Sequence, residues 1–414
     1  MKLFPKGSVL FTKSGMSILL NQRAILARDM YVVSHIGISI TLSGVPSELV
    51  YYWLKSIDFK NLTHATTLPS LQLTKVKQIP IPLPPLPEQQ RIVAKIEELF
   101  TKLDVGVEAL KKVKAQLKRY RQAVLKYAFE GKLTEEWRES EFRNPNSALK
   151  KEPASVHLEK IKEGLKKNAK ELNVGARHAV SLPLDTSDLP ELPEGWMWTR
   201  VGEIGEAVTG TTPSKSRNEY YCRDFPFYKP TDLNDGYYVR KSEDGLSKKG
   251  IEKARLLPAK SILVTCIGAT IGKTGFIRTE GASNQQINAI IPEKHILPEF
   301  VYFMCISPQF QKSVIGNASA TTLPILNKSK FEILLIPMAP LPEQHKIVEE
   351  IERWFSVADK IEKVVEESLK QSDRLRQSIL KKAFEGKLVP QDPNDEPAEK
   401  LLERIKLGKK RGRD

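Results

Sequence analysis

Three cysteines in 414 residues, Cys222, Cys266 and Cys305, are too few and too widely spaced for a disulfide framework. No C-x-x-C pair occurs and no histidine lies at metal-ligand spacing from them, so reduced, buried thiols and no metal are expected. No run of about eighteen apolar residues is free of charge and proline, which excludes a membrane-spanning helix. The opening MKLFPKGSVLF is broken by Pro5 and Lys6 and does not read as a signal peptide. A cytoplasmic chain with no membrane partner is expected.

Catalytic patterns are equally scarce. There is no G-x-S-x-G, no H-E-x-x-H and no glycine fingerprint for a dinucleotide or methyl donor. His35, His64, His295 and His345 do not cluster and read as surface or satisfied residues. Glu349-Glu350 and Glu366-Glu367 fall on charge-rich helical stretches and read as solvated faces. The nearest approach to a nucleotide loop is VTCIGATIGKTGF, residues 264–276, with Gly268, Gly272, Lys273 and Thr274. A Walker A loop needs four residues between its glycines so that backbone N–H groups curl around the phosphates. Here the position five before Gly272 is Ile267, and a β-branched side chain cannot replace a glycine there. The loop is one residue short, and the chain is not expected to be an enzyme.

Positive charge is what the sequence has in excess. Its 65 Lys and Arg against 50 Asp and Glu give a formal charge of +15. An excess of that size favours a polyanionic partner, nucleic acid foremost.

The chain also repeats itself. PLPPLPEQQRIVAKIEELF (82–100) returns as PMAPLPEQHKIVEEIERWF (337–355), and LKYAFEGKL (125–133) returns as LKKAFEGKL (380–388), both offset by 255 residues. Thr67-Leu68-Pro69 and Thr322-Leu323-Pro324 keep that offset. Upstream, LFPKGSVLFTKSG (3–15) parallels LLPAKSILVTCIG (256–268), and Asn21-Gln22 is set against Asn284-Gln285. The stretch 192–255 has no counterpart in the first copy, so a first domain cut short at its amino end is expected.

Each copy holds two kinds of segment. Residues 1–86 and 189–341 carry short apolar runs such as SILVTCIG and NAIIP, punctuated by Gly, Pro and Asn, and read as mixed α/β globules. Residues 87–135 and 342–390 open on a proline and then keep a heptad. The first seam is Ile92, Ile96, Leu99, Leu103, Leu110, Val113 and Leu117, interrupted at Gly106; the second is Ile347, Ile351, Trp354, Ile361, Val365, Leu375 and Ile379. Two matched helices of one chain most simply pack as an antiparallel coiled coil, a rod of about 60 Å at ~1.5 Å per residue. Residues 136–188 read as a linker with a short helix, and 391–414 as a basic tail.

The polar loops supply candidate DNA contacts. In the first globule these are Lys13, Asn21, Gln22 and Arg23. In the second they are Thr211, Lys215 and Arg217 of VTGTTPSKSRNEYY, Lys229, Thr231 and Asn234 of YKPTDLNDG, Lys273, and Asn284 and Gln285 of SNQQIN. Lysine and arginine suit phosphates, while asparagine and glutamine pair with adenine edges. Gly, Ser, Asn and Thr clusters are first of all turns, so no single loop decides the matter.

In PLPEQQRIVAKIEELF, AFEGKL and their second copies, with LPEGWMWTRVGEIGEAVTGTTP and GATIGKTG, the chain resembles the specificity subunit of type I restriction-modification systems. That resemblance implies two target recognition domains, each reading one half of a bipartite, asymmetric double-stranded DNA target. It implies two conserved helices that pack antiparallel and dock two methyltransferase subunits, with restriction subunits completing the assembly. It implies that no cofactor is bound by this chain, S-adenosylmethionine, ATP and Mg²⁺ belonging to the partners. It also implies that Lys273 is a DNA contact. If the helices act as a ruler, adding a heptad to both lengthens the rod by about 10 Å. At ~3.4 Å per base pair, the spacer of the recognised motif then grows by about three base pairs. Mapping the methylated motif of such a variant checks this. A stand-alone DNA-binding regulator and a coiled-coil scaffold without a DNA role remain as rival readings, the second betrayed by binding that ignores salt.

Overall fold

A computed structural model describes residues 2–42, 44–63, 69–145, 147–156, 158–161, 163, 185–187, 189–319 and 322–411. His64, Thr67 and Leu68 lie outside the described residues, as does the stretch 164–184 of the linker. The chain divides into two compact units, residues 1–115 with 362–414, and residues 116–361.

In the second unit a four-stranded antiparallel sheet has the order Thr274–Phe276, Ile262–Thr265, Ile287–Pro292, Gly205–Thr209. Ile262–Thr265 is apolar and buried on both faces because helix Pro298–Cys305 and its neighbours cover it. A three-stranded sheet joins Ala282–Ser283, Phe225–Tyr228 and Asp244–Leu246, and Met197–Arg200 pairs with Leu335–Met338. In the first unit Val9–Thr12 lies between Arg23–Ile25 and Ile36–Ser39, backed by helix Ser47–Ser56. Cys266 and Cys305 are buried, and burial pushes the Cys266 thiol up to about 12; Cys222, expected to be buried, is exposed.

The hydrogen bonds confirm the repeat and correct part of its register. Gly15 N–H donates to Pro69 O at 2.9 Å as Gly268 N–H does to Pro324 O at 3.0 Å. Lys13 N–H reaches His35 O at 3.1 Å as Cys266 N–H reaches Gln286 O at 2.7 Å. By the strand pairings Arg23 corresponds to Thr274, so Asn21-Gln22 corresponds to Gly272-Lys273, not to Asn284-Gln285. Asn21 and Gly272 share a left-handed backbone, with φ of 49° and 86°. The shared Asn-Gln pair misled because a residue match is weaker than a register fixed by a ladder of backbone bonds.

Each long helix has 44 residues, Leu86–Phe129 and Leu341–Phe384, with a proline in its first turn. Both AFEGKL sequences end them in the same way. Gly131 and Gly386 take φ of 71° and 70°, and Lys132 and Lys387 N–H donate five residues back to Tyr127 and Lys382 O, both at 2.9 Å. This is the Schellman arrangement, which needs a left-handed residue that glycine supplies without strain. Within the first unit the two helices are antiparallel, Asp104 facing Arg376 and Lys114 bonding Glu366 at 2.6 Å. Within the second, Arg121 meets Asp359 at 2.6 Å.

Ile92, Ile96, Leu117, Ile347, Ile351, Val365 and Ile379 are buried, while Leu99, Leu103, Leu110, Val113 and Trp354 are half-buried. Ile361 and Leu375 are 42% and 46% exposed. The buried residues near the helix starts gain cover from the globular cores. Farther along, a 3.6-residue helix drifts about 20° per heptad against a 3.5-residue pattern.

Candidate nucleic-acid interface

The GATIGKTG stretch joins two antiparallel strands. Gly272 N–H donates to Thr265 O and Thr265 N–H to Lys273 O, both at 2.8 Å, and strand Thr274–Phe276 follows at once. A phosphate loop leads into a helix whose N–H groups face the phosphates, and here that helix is replaced by a strand.

Around this hairpin the second domain ties three further segments together. Gly210 N–H donates to Ile287 O at 3.0 Å and Thr211 N–H to Ser283 O at 2.9 Å, while the Thr212 hydroxyl donates to Gln285. Leu326 N–H donates to Cys266 O at 2.8 Å, which holds the segment after Pro324 to the hairpin. Thr211, Lys215, Arg217 and Gln285 are exposed on this cluster. Arg217 lies 5.7 Å from the Tyr220 ring centroid, donates to the Tyr220 hydroxyl at 3.3 Å and pairs with Glu219 at 3.8 Å, while its side chain stays 63% exposed.

The remaining candidates have other duties. Asn284 is buried, its amide donating to Gln286 Oε1 at 2.8 Å and its Oδ1 accepting from Gln286 N–H at 3.2 Å, so it shapes the turn that presents Gln285. Lys273 is half-buried on the hairpin. Lys229 is paired with Asp244, and Thr231 and Asn234 are exposed on the separate turn at Asp232–Tyr238.

Gly210 is required by close approach. A Cβ there would lie 2.2 Å from Asn284 O and 2.4 Å from Ser283 O, both backbone atoms that cannot swing away. We expect Gly210→Ala to destabilise the second domain by about 1–3 kcal/mol. Hydrogen exchange should show the loss concentrated in residues 210–217 and 283–287.

In the first domain Asn21, Gln22 and Arg23 line a cleft of about 490 Å³ with Lys55, and Lys13 is half-buried nearby in sequence. Arg23 is 8% exposed and stacks 3.7 Å above the Phe59 ring. Its guanidinium donates to Asn21 Oδ1 at 2.6 Å and Gln22 O at 2.7 Å, which commits Arg23 and Asn21 to each other. Burial lowers the Arg23 pKa to about 10 against the opposing pull of Asp58, and the group stays charged at neutral pH. Gln22 is left exposed on the turn corresponding to Gly272-Lys273. Sequence reasoning missed the basic and aromatic cleft of about 820 Å³ between Tyr238, Arg240, Lys260, Arg278 and His345. Its one legible signal was Tyr237-Tyr238 beside Arg240.

A loop-bearing domain present twice, each copy joined to a 44-residue helix, makes this a two-module recognition protein. The sequence profile described as "Type I restriction modification DNA specificity domain" matches residues 1–119 and 193–371. The chain belongs to that family, the specificity subunits of type I restriction-modification systems. Among its relatives is the type I restriction enzyme EcoDI specificity subunit of Escherichia coli, 28% identical over 367 residues, which span 86% of this chain and 75% of that one. The EcoKI specificity subunit of Escherichia coli strain K12 is 28% identical over 385 residues, 87% of this chain and 71% of that one. A chain solved in work on complex assembly and conformational transition of the type I R-M system aligns with a TM-score of 0.62. At 20% identity, over 93% of this chain and 83% of that chain, it speaks for the shared fold.

Proposed function

We propose that this specificity subunit reads a bipartite, asymmetric double-stranded DNA target, one half-site per domain, and docks two methyltransferase subunits and the restriction subunits along its long helices. The observation that carries the DNA-reading role is the knitted loop cluster of the second domain. Four segments distant in sequence are tied together by hydrogen bonds, and Thr211, Lys215, Arg217 and Gln285 on two of them are exposed. Lysine and arginine supply phosphate contacts, and Gln285 supplies the amide that can read an adenine edge. The formal charge of +15 supports the same partner. In this reading the chain is non-catalytic and binds no cofactor of its own. S-adenosylmethionine, ATP and Mg²⁺ act on the partner subunits, and the assembly works in the cytoplasm.

Co-expression with a methyltransferase subunit, followed by single-molecule sequencing of methylated adenines, tests the proposal. A motif with two defined halves and a fixed spacer is the expected result. Co-purification without any methylated motif would leave a docking scaffold and overturn the DNA-reading role.

A further inference from the structure

Pro5–Ser8 and Pro258–Ser261 form the same turn in the two copies of the repeat. Ser8 and Ser261 N–H donate to Pro5 and Pro258 O at 3.2 and 3.3 Å, and their hydroxyls donate to the same oxygens at 2.7 Å. Gly7 N–H reaches Leu26 O and Lys260 N–H reaches Ile277 O, both at 2.8 Å. The position demands a left-handed backbone, with φ of 83° at Gly7 and 71° at Lys260. Glycine adopts that conformation freely, whereas a residue with a Cβ does so at a cost. Lysine therefore stands at this turn against the preference of the backbone. By the strand register Ala27 stands where Arg278 does, so the shared fold requires neither cation.

Lys260 and Arg278 line the cleft of about 820 Å³ with Tyr238, Arg240 and His345. That volume lies within the ~300–1,000 Å³ of small-ligand sites. Ile262 pairs with Phe276, so Lys260 and Arg278 lie at the end of this hairpin remote from its turn at Gly268–Lys273. Thr265, at the turn end, pairs with Ile287 beside the loop that carries Gln285. The cleft and the loop cluster are thus at opposite ends of the same strands.

Several polar groups of the cleft are already committed. The Arg278 guanidinium carbon lies 4.2 Å from the Phe276 ring centroid and 4.4 Å from that of Tyr237, its Nε donates to Tyr237 O at 3.1 Å, and its Nη1 is 3.9 Å from Glu299. Glu352 accepts from the Tyr237 hydroxyl at 2.6 Å. Arg240 and Lys260 are exposed and make no ion pair or side-chain hydrogen bond among the described residues. The Tyr238 ring in the same cleft is 61% exposed. Two uncommitted cations and an open aromatic face together complement a phosphate joined to a flat, stacking group.

We propose that this cleft binds a nucleotide whose base is not held in a duplex, the phosphates on Arg240 and Lys260 and the base laid on the Tyr238 ring. A duplex keeps its bases stacked on one another and has no free face to offer Tyr238, so this occupant differs from the target read by the loop cluster. A free nucleoside phosphate and an unpaired nucleotide of a single strand carry the same two groups. Binding alone is proposed, and no bond is made or broken. None of these features depends on the DNA-reading role, so the two proposals stand or fall separately.

ADP and inorganic pyrophosphate are titrated separately into the full chain by calorimetry. Saturable one-to-one binding of ADP is expected, about fivefold or more tighter than pyrophosphate, since a base stacked on an aromatic ring is worth at least that much. Tyr238→Ala should abolish the margin. Lys260→Gly should weaken ADP about fivefold while the Tm stays level or rises, because glycine takes the left-handed turn without strain. A short single-stranded oligonucleotide that competes with ADP identifies a strand as a source of the occupant, and ADP binding without competition identifies the free nucleotide. Absence of saturable ADP binding, equal affinity for pyrophosphate, or unchanged affinity in Lys260→Gly would overturn the proposal. So would a lower salt slope of duplex binding in Lys260→Gly, which would assign the cleft to the duplex interface.

Discussion

Glu343→Ala is expected to destabilise the second unit by about 3–5 kcal/mol, read as a lower urea midpoint, because it leaves the Arg138 guanidinium buried without its counter-ion. Glu343 is the acceptor on which Thr134, Arg138 and Trp196 converge, so it holds the first turn of one long helix, the segment after the other and the entry to the recognition domain in a single network. Removing it strands a charge and two neutral donors away from water, and each unmade bond carries a desolvation cost. The mirror substitution has the opposite sign. Glu88→Gln neutralises a buried carboxylate that accepts no hydrogen bond among the described residues, and the midpoint of the first unit should stay level or rise. Equal losses from the two substitutions would show that the shared position, not the donor network, sets the effect.

The double substitution Lys215→Ala, Arg217→Ala is expected to weaken duplex binding about 25-fold at 0.15 M salt and to reduce the salt slope by about 2. Lys215 makes no ion pair among the described residues, and Arg217, though it pairs loosely with Glu219 at 3.8 Å and donates to the Tyr220 hydroxyl at 3.3 Å, keeps its side chain 63% exposed. Each phosphate that is no longer neutralised takes about 0.9 off the slope, and the same relation makes its neutralisation worth about fivefold at that salt concentration. Fluorescence anisotropy against salt, with a duplex carrying the second half-site, measures both quantities. An unchanged slope would remove the 210–217 loop from the interface. Lys229→Ala serves as the contrast, since the Asp244 pairing already occupies that ammonium and a smaller change is expected.

The two domains differ in how much of their interface the sequence disclosed. In the second, Thr211, Lys215, Arg217 and Gln285 were legible as polar residues in turns, and all four are exposed on one loop cluster. Asn284 was selected by the same logic but is buried, because an Asn side chain closing its own turn looks the same in sequence as one held out to a ligand. Arg23 was chosen for its charge, yet its stacking on Phe59 and its bonds to Asn21 and Gln22 spend that charge inside the first domain.

By itself the sequence determined the repeat, the long helices and their ends. A proline in the first turn, an apolar residue every three or four positions and a glycine after Ala-Phe-Glu act within a few residues of themselves, so they are read locally. It also excluded the nucleotide loop, where one missing residue sufficed. Only the tertiary structure decided that Asn21-Gln22 takes the place of Gly272-Lys273, that Glu343 finds three donors while Glu88 finds none among the described residues, and that Gln89 Oε1 is left unpaired. The last has the same cause as the others. Gln344 accepts from the N–H of Leu297, and the residue capping the equivalent helix is Pro46, which has no N–H to give. Such partners lie tens to hundreds of residues apart, and a pattern read along the chain carries no information about which distant atoms will meet.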